Sequence, residues 1–391
     1  MSDDAGLALT DLEVVAGFPV GVVSDESLPS PPVPSPHAAL ERAILPALER
    51  TPCLVSFSGG RDSSAVLAIA TRLARREGLE PPVPVTLRFP GVADADESSW
   101  QELVVGHLGL VDWEREEVRG ELDLIGPVAQ AVLRRHGVLW PPNTHFHQPI
   151  LDRARGGSVL TGIDGDGLLG SWRWARPIRV LRGERRPRAR DGARIALAVS
   201  PPRVRLAVER RRAPVVLPWL LPSAQAELHV ARCREAAGEP ARWDRWVPWY
   251  ARRRALRMTL QGVQRMAQGT NTHVVSPLAD PMFLASLVRA GGWSGIGDRD
   301  AATEMLCGDL LPREVVRRRS KAVLDVPFWN RSTRDFASTW DGRGIDSAMV
   351  DRAALQREWL APKPHACAST LLQAAWLCSA SGGMPRRGRP T

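Results

Sequence analysis

Between a short apolar run, Cys53-Leu54-Val55-Ser56-Phe57, and an apolar-periodic stretch that follows it lies the string Ser58-Gly59-Gly60-Arg61-Asp62-Ser63-Ser64. A glycine turn joining a strand end to a helix start aims backbone N–H groups and the positive end of the helix dipole at one point. That arrangement binds an anion. Gly59 and Gly60 let the main chain approach a phosphate closely, and Ser58 and Ser63 add hydroxyl donors. Asp62 is misplaced beside phosphate unless a cation comes between, so its presence predicts Mg²⁺. The string lacks the Gly-Lys-Ser/Thr ending of a Walker loop. Only two of the 52 basic residues are lysines, Lys321 and Lys363. A chain so biased toward arginine keeps a lysine by chance or because a compact ammonium is needed. His145 and His147 form an HxH with no third ligand close in sequence, which reads as a loop pair rather than a metal site.

The elements that must position these residues can be read from periodicity. His37 to Arg50 has helical spacing at Ala39, Leu40, Ile44, Leu45 and Leu48, and it leads into the Cys53–Phe57 run, which suits a buried parallel strand. Ser63 to Glu77 places Val66, Leu67, Ile69, Ala70, Leu73 and Ala74 on one helical face, ending at Gly78. Val83–Phe89, Asp112–Val118 and Ser158–Gly162 read as strands, the last entering a second glycine turn; Ser98–Leu108, Ile125–His136 and Ile150–Arg155 read as helices. Such alternation predicts an α/β fold with a parallel sheet and right-handed crossovers. Beyond Gln225 helical periodicity dominates, and an aromatic cluster at Trp243, Trp246, Trp249 and Tyr250 reads as core.

Composition narrows the class. Apolar residues make up 44% and charged residues 24%, ordinary for a soluble globular chain. The net charge of +9 is concentrated: residues 173–212 hold fourteen arginines against Glu184, Asp191 and Glu209, and the remainder is close to neutral. With Pro177, Pro187, Pro201, Pro202, Pro214 and Pro218 interleaved, that insert loses the pattern and reads as partly disordered and solvent- or interface-facing. Nucleic acid is the less favoured partner, because the basic residues are interleaved with proline rather than aromatic side chains. The stretch Met1 to Leu9 is acidic, with neither a basic start nor a long apolar run, and no stretch reaches membrane-spanning length. The five cysteines are scattered without a CxxC pair. These features predict a cytoplasmic protein with no membrane partner. Leu28 to Pro36 reads as a stiff Pro-rich linker, giving a tail and linker over 1–36, a single domain over 37–380 and a disordered tail over 381–391.

The SGGxDS string resembles the signature of the PP-loop ATP pyrophosphatases, and further landmarks resemble the asparagine synthetases within that group. Val85-Thr86-Leu87-Arg88-Phe89 followed by Asp96-Glu97 and His107-Leu108-Gly109 is similar to their adenine-holding segment. Thr161-Gly162-Ile163-Asp164-Gly165-Asp166-Gly167-Leu168-Leu169-Gly170 resembles their SGEGxDELFGG segment, Lys321 with Pro327 their KxxFxxP, and Pro277-Leu278-Ala279-Asp280 their PFLD. The resemblance runs from about His37 to Leu377 in one order. It implies a PP-loop (adenine nucleotide alpha-hydrolase-like) sheet domain with a mostly helical C-terminal part. It also implies ATP and Mg²⁺, with Asp62 and Asp166 holding the metal. Thr161 and Gly162 would line the nucleotide, Phe57 and Leu87 would contact it through backbone, and Lys321 would neutralise the α-phosphate and departing pyrophosphate. The expected activity is an AMP-forming carbon–nitrogen ligase: a small-molecule or peptide carboxylate becomes an acyl-adenylate and an amine displaces AMP.

The sequence departs from that family at the acceptor half. Asparagine synthetases carry an N-terminal glutaminase domain with a cysteine after the initiator Met; here Ser2 follows Met1, so a separate ammonia-supplying protein or another amine is expected. Ile163 stands where the family has a Glu able to accept a proton, and isoleucine cannot act as a base. Asp164 next door is the candidate to replace it. Gly167 replaces another family Glu, and His273 and Val275 stand where the family has charged substrate contacts, which puts aspartate as substrate in doubt. Two other readings stay open: a tRNA-modifying PP-loop enzyme and a non-catalytic nucleotide-binding relative.

Overall fold

The computed structural model describes residues 7–24, 28–29, 32–320 and 326–380. Its centre is a sheet of five strands, β1 (Cys53–Ser56), β2 (Val83–Arg88), β3 (Glu114–Glu117), β4 (Ser158–Thr161) and β5 (His273–Val275). All pair in parallel, in the order β3-β2-β1-β4-β5. The chain therefore builds outward from β1 through β2 to β3, then returns to the other side of β1. The crevice between β1 and β4, at their carboxyl ends, is the switch point where open α/β sheets bind ligands.

Alternation along the central strands explains why they are buried on both faces. Val55 and Leu160 enter the larger core with the flanking helices Pro36–Leu48 and Arg61–Glu77, while Leu54 and Val159 enter a second cluster with Val85, Val274 and Met266. The outer strand β3 is charged throughout, and Arg153 pairs with Glu114 at 3.1 Å and Glu116 at 2.7 Å. Charge on an edge strand discourages pairing with another chain.

A third cluster lies among the carboxyl-terminal helices around Trp219, Trp340, Trp359 and Trp376. The stretch read from sequence as an amino-terminal tail contributes to it. Helix Asp11–Ala16 is closed by a capping box between Thr10 and Glu13, and Trp219 Nε1 donates to the Val15 carbonyl at 2.8 Å. The sequence signal was too short for a domain, yet it suffices for one turn and a half anchored on another core.

The Arg-rich insert is more ordered than its composition implies. Helices occupy Ala175–Leu181, Ala189–Val199 and Pro202–Arg210. Pro177 and Pro202 fall in first turns, where a missing N–H has no intrahelical partner to lose. Several arginines are internal rather than solvated: Arg173 pairs with Glu209 and Glu239, Arg176 with Asp191, and Arg205 is buried. Net charge concealed these pairs, since Glu239 lies outside the counted stretch. Among the described residues, no helix is long and apolar enough to cross a membrane.

Candidate active site

The turn after β1 places Gly59 at φ +82°, a left-handed conformation, where an added Cβ would stand 2.8 Å from Gln101 Cγ. Glycine is required there on both counts. Gly60 is extended (φ −72°, ψ 160°) and caps the helix Arg61–Glu77, which begins two residues earlier than its apolar periodicity indicates. Asp62 consequently sits in the first helical turn. No side-chain cap hydrogen bond among the described residues closes that helix end, and its cap and first residues, Gly60 to Ser63, line the crevice. Ser63 Oγ donates to the Gly60 carbonyl at 3.1 Å and lies 3.1 Å from Ser58 Oγ, folding the loop on itself. Phe57 is buried, with its N–H bonded to the Val85 carbonyl at 2.9 Å.

The turn after β4 approaches from the other side. Thr161 is buried and its Oγ1 lies 2.8 Å from Ser276 Oγ. A Cβ on Gly162 would stand 2.7 Å from the Ser63 nitrogen, so the two loops touch backbone to backbone. Asp164 adopts φ +76° and starts the helix Gly165–Gly170, which carries Asp166 in its first turn. Phe57, Ser58, Gly60, Asp62, Ser63, Leu87, Thr161, Gly162, Asp164 and Asp166 all line one cavity of about 470 Å³; Gly59 is buried and is not part of its lining. The size falls in the range of small-ligand pockets, roughly 300–1,000 Å³. Ile163 also lines it, apolar where a proton acceptor was sought. Lys321 lies outside the described residues; the described chain reaches the cavity wall at Arg318, Arg319 and Ser320.

Three side chains central to the geometry, Arg299, Arg318 and Tyr250, were not singled out as site residues by sequence. Arg299 donates from Nη2 to both carboxylate oxygens of Asp62 at 3.0 Å, and its Nη1 pairs with Asp166 Oδ1. Arg318 is buried with Glu97, its Nη1 donating to Glu97 Oε2 at 2.7 Å and to the Gly59 carbonyl at 2.8 Å, while the guanidinium lies 4.6 Å from the Trp100 ring centroid. Tyr250, the sole tyrosine of the chain, donates its hydroxyl to Asp164 Oδ1 at 2.6 Å. It comes from the aromatic cluster read as core, stacking on Trp246 with ring centroids 4.8 Å apart. Gly167 makes room for it: a Cβ there would stand 1.8 Å from the tyrosine oxygen.

Electrostatically the pocket is divided. Burial pushes the Asp164 carboxyl up to about 7, opposed by the Tyr250 hydrogen bond and by Arg253 and reinforced by Asp62 and Asp166. Its Oδ2 is enclosed with no hydrogen-bond partner among the described residues. The Tyr250 hydroxyl is raised by burial and by the Asp164 charge, so it stays protonated. His147 lines the same cavity and is held neutral, pushed down to about 4 by burial and then by His145. His145 Nε2 lies 2.9 Å from the Leu122 carbonyl oxygen, and both histidines are buried in the turn Thr144–His147. Among the described residues no three His, Cys, Asp or Glu side chains are grouped to hold a metal. Asp280 of the PFLD-like segment caps the helix Pro281–Gly291, accepting from the Met282 and Phe283 amides. His273 is exposed on β5.

Comparison with the curated proteins finds no match. The family model described as asparagine synthase matches residues 38–376, from the helix before β1 into the last helix, and the chain belongs to that family of ATP-dependent ligases.

Proposed function

We propose that this chain forms an amide: a carboxylate attacks the α-phosphate of ATP, pyrophosphate leaves, and an amine displaces AMP from the acyl-adenylate. The observation that carries the reading is the meeting, in one cavity at the β1/β4 switch point, of the open end of helix Arg61–Glu77 with the carboxylates of Asp62 and Asp166. Backbone amides and the hydroxyls of Ser58 and Ser63 suit the phosphates, and Thr161, Gly162, Phe57 and Leu87 suit the remainder of the nucleotide.

Mg²⁺ suits the donor set, since Asp62 and Asp166 line one cavity and a single guanidinium reaches both carboxylates. Two protein carboxylates with the balance of ligands from phosphate and water is the ordinary Mg²⁺ pattern, which needs no group of three side chains. Asp62 and Asp166 would hold the ion, and when bound it supplies charge neutralisation on the phosphates. Lys321 is proposed to share that task at the α-phosphate.

Asp164 is the proposed proton acceptor in place of Ile163. It lines the same cavity as Ile163, and its Oδ1 is held by the Tyr250 hydroxyl, which fixes the carboxylate where a proton could be taken up. Phe89, Phe146, Ile150 and Phe328 wall the cavity with apolar surface, protecting a hydrolysable acyl-adenylate from water. The acceptor differs from asparagine synthesis in this reading, because Ile163 and Gly167 remove two acidic groups from the loop.

An ATP–pyrophosphate exchange screen over amino acids and peptides tests the proposal. Turnover should give AMP and pyrophosphate and be lost in Asp62→Ala and Lys321→Ala. ADP as the only nucleotide product would overturn it.

A further inference from the structure

The first turn of helix Arg299–Cys307 is fastened at three consecutive residues. Asp298, its N-cap, accepts from the Ala301 amide at 3.1 Å and from Arg179 of the insert at 2.8 Å. Asp300 takes Arg61 Nη1 at 2.5 Å. Between them Arg299 reaches into the crevice and binds Asp62 and Asp166 together. Its backbone is thus fixed by neighbours on both sides, while its side chain, 24% exposed, links the two carboxylates.

We propose that Arg299 holds the place of the cation between Asp62 and Asp166 and exchanges the two carboxylates for phosphate oxygens when the nucleotide and its metal enter. The proposal rests on the ATP reading above. A divalent ion arriving alone must displace a guanidinium from a fork of charge-assisted hydrogen bonds and leave it in a half-enclosed crevice without a partner. A metal–triphosphate complex brings replacements for both sides at once: the ion for the carboxylates and planar arrays of phosphate oxygens for the guanidinium, which suits such acceptors better than an ammonium does. Metal and nucleotide therefore enter together. Arg299 Nε is buried with no hydrogen-bond partner among the described residues, so the fork has capacity beyond what the carboxylates use. A Cβ on Gly170 would stand 3.6 Å from Arg299 Cδ, leaving the arm room to swing on that side.

The test uses the full chain with Mn²⁺ followed by electron paramagnetic resonance, and calorimetric titration with ATP. Without nucleotide, the parent protein should bind Mn²⁺ at least about tenfold more weakly than Arg299→Met and Arg299→Gln, which lose the competing charge. Arg299→Lys should restore exclusion of the metal. In the presence of Mg²⁺ the same two neutral variants should bind ATP about tenfold or more weakly than the parent, having lost a phosphate contact. Opposite shifts in metal and nucleotide affinity are not produced by a merely structural role, and two variants of different shape guard against misfolding of one. Equal Mn²⁺ affinity in parent and neutral variants, or unchanged ATP affinity in them, overturns the proposal. Absence of ATP binding in every protein refutes the ATP reading instead, while the nucleotide-free Mn²⁺ comparison still decides whether Arg299 occupies the cation's place.

Discussion

Replacing Glu97 by glutamine leaves the Arg318 guanidinium buried with the carboxylate charge that faces it removed. The two side chains are 9% and 3% exposed and meet through two contacts, so the pair behaves as an interior one. Breaking such a pair from one side costs about 3–5 kcal/mol, because the remaining charge stays out of water. Urea unfolding of Glu97→Gln should show a loss of that order. The double variant Glu97→Leu/Arg318→Met removes both charges and should recover most of the stability, since a buried pair exchanged for apolar side chains of similar volume is roughly neutral. Nucleotide binding should separate from stability in this pair of proteins. Arg318 also donates to the Gly59 carbonyl, so the double variant should fold well yet bind ATP about tenfold more weakly than the parent. A cost below about 1 kcal/mol in the single variant, the range of exposed pairs, would refute the reasoning. So would a double variant as unstable as the single one.

Three further outcomes are expected. His147 is neutral in the fold, pushed down to about 4, whereas an unfolded histidine titrates near about 6.5. The unfolded chain then binds the proton first, so stability falls as pH drops from about 6.5 toward about 4, by about 3 kcal/mol in total, and His147→Phe should lose measurably less between pH 7 and pH 5 in urea titrations; equal losses would count against this. Gly167→Ala should destabilise by about 1–3 kcal/mol through overpacking against the Tyr250 oxygen, and thermal unfolding should show Tyr250→Phe relieving part of it. Glu13 is buried, which opposes its ionisation, but the Arg254 hydrogen bond and the Thr10 and Val20 amides outweigh that and lower its pKa. Its contribution is present above the unfolded value and is lost as pH falls through the lowered one, so Glu13→Gln should flatten the acid limb of the stability curve.

Local grammar made the parallel sheet and both glycine turns legible. Strand, turn and helix start lie within a dozen residues of Ser58, which brought Asp62 forward, and a similar turn recurs at Thr161, where the resemblance to asparagine synthetases implied Asp166. What escaped was assembled across long separations. Arg299 meets Asp62 from 237 positions away and Arg318 meets Glu97 from 221, and no periodicity encodes either pairing. The Tyr250–Asp164 contact had a usable signal: rarity drew attention to two lysines, and the chain has only one tyrosine. The insert was misjudged because counting charges cannot distinguish an arginine in solvent from one such as Arg176, held by Asp191. Lys321, which the sequence favoured, lies outside the described residues.

The fit between Gly167 and Tyr250 also bears on descent. The tyrosine hydroxyl occupies the space into which any side chain at 167 would grow, so the two positions hold alternative tenants of a single volume. A lineage can fill that volume from the loop after β4 or from the helix Trp243–Ala251, but not from both. Related chains should therefore sort into two groups, those with glycine at the first position and a large side chain at the second, and those with the sizes reversed. Intermediates carrying bulk at both would have had to cross an unstable protein.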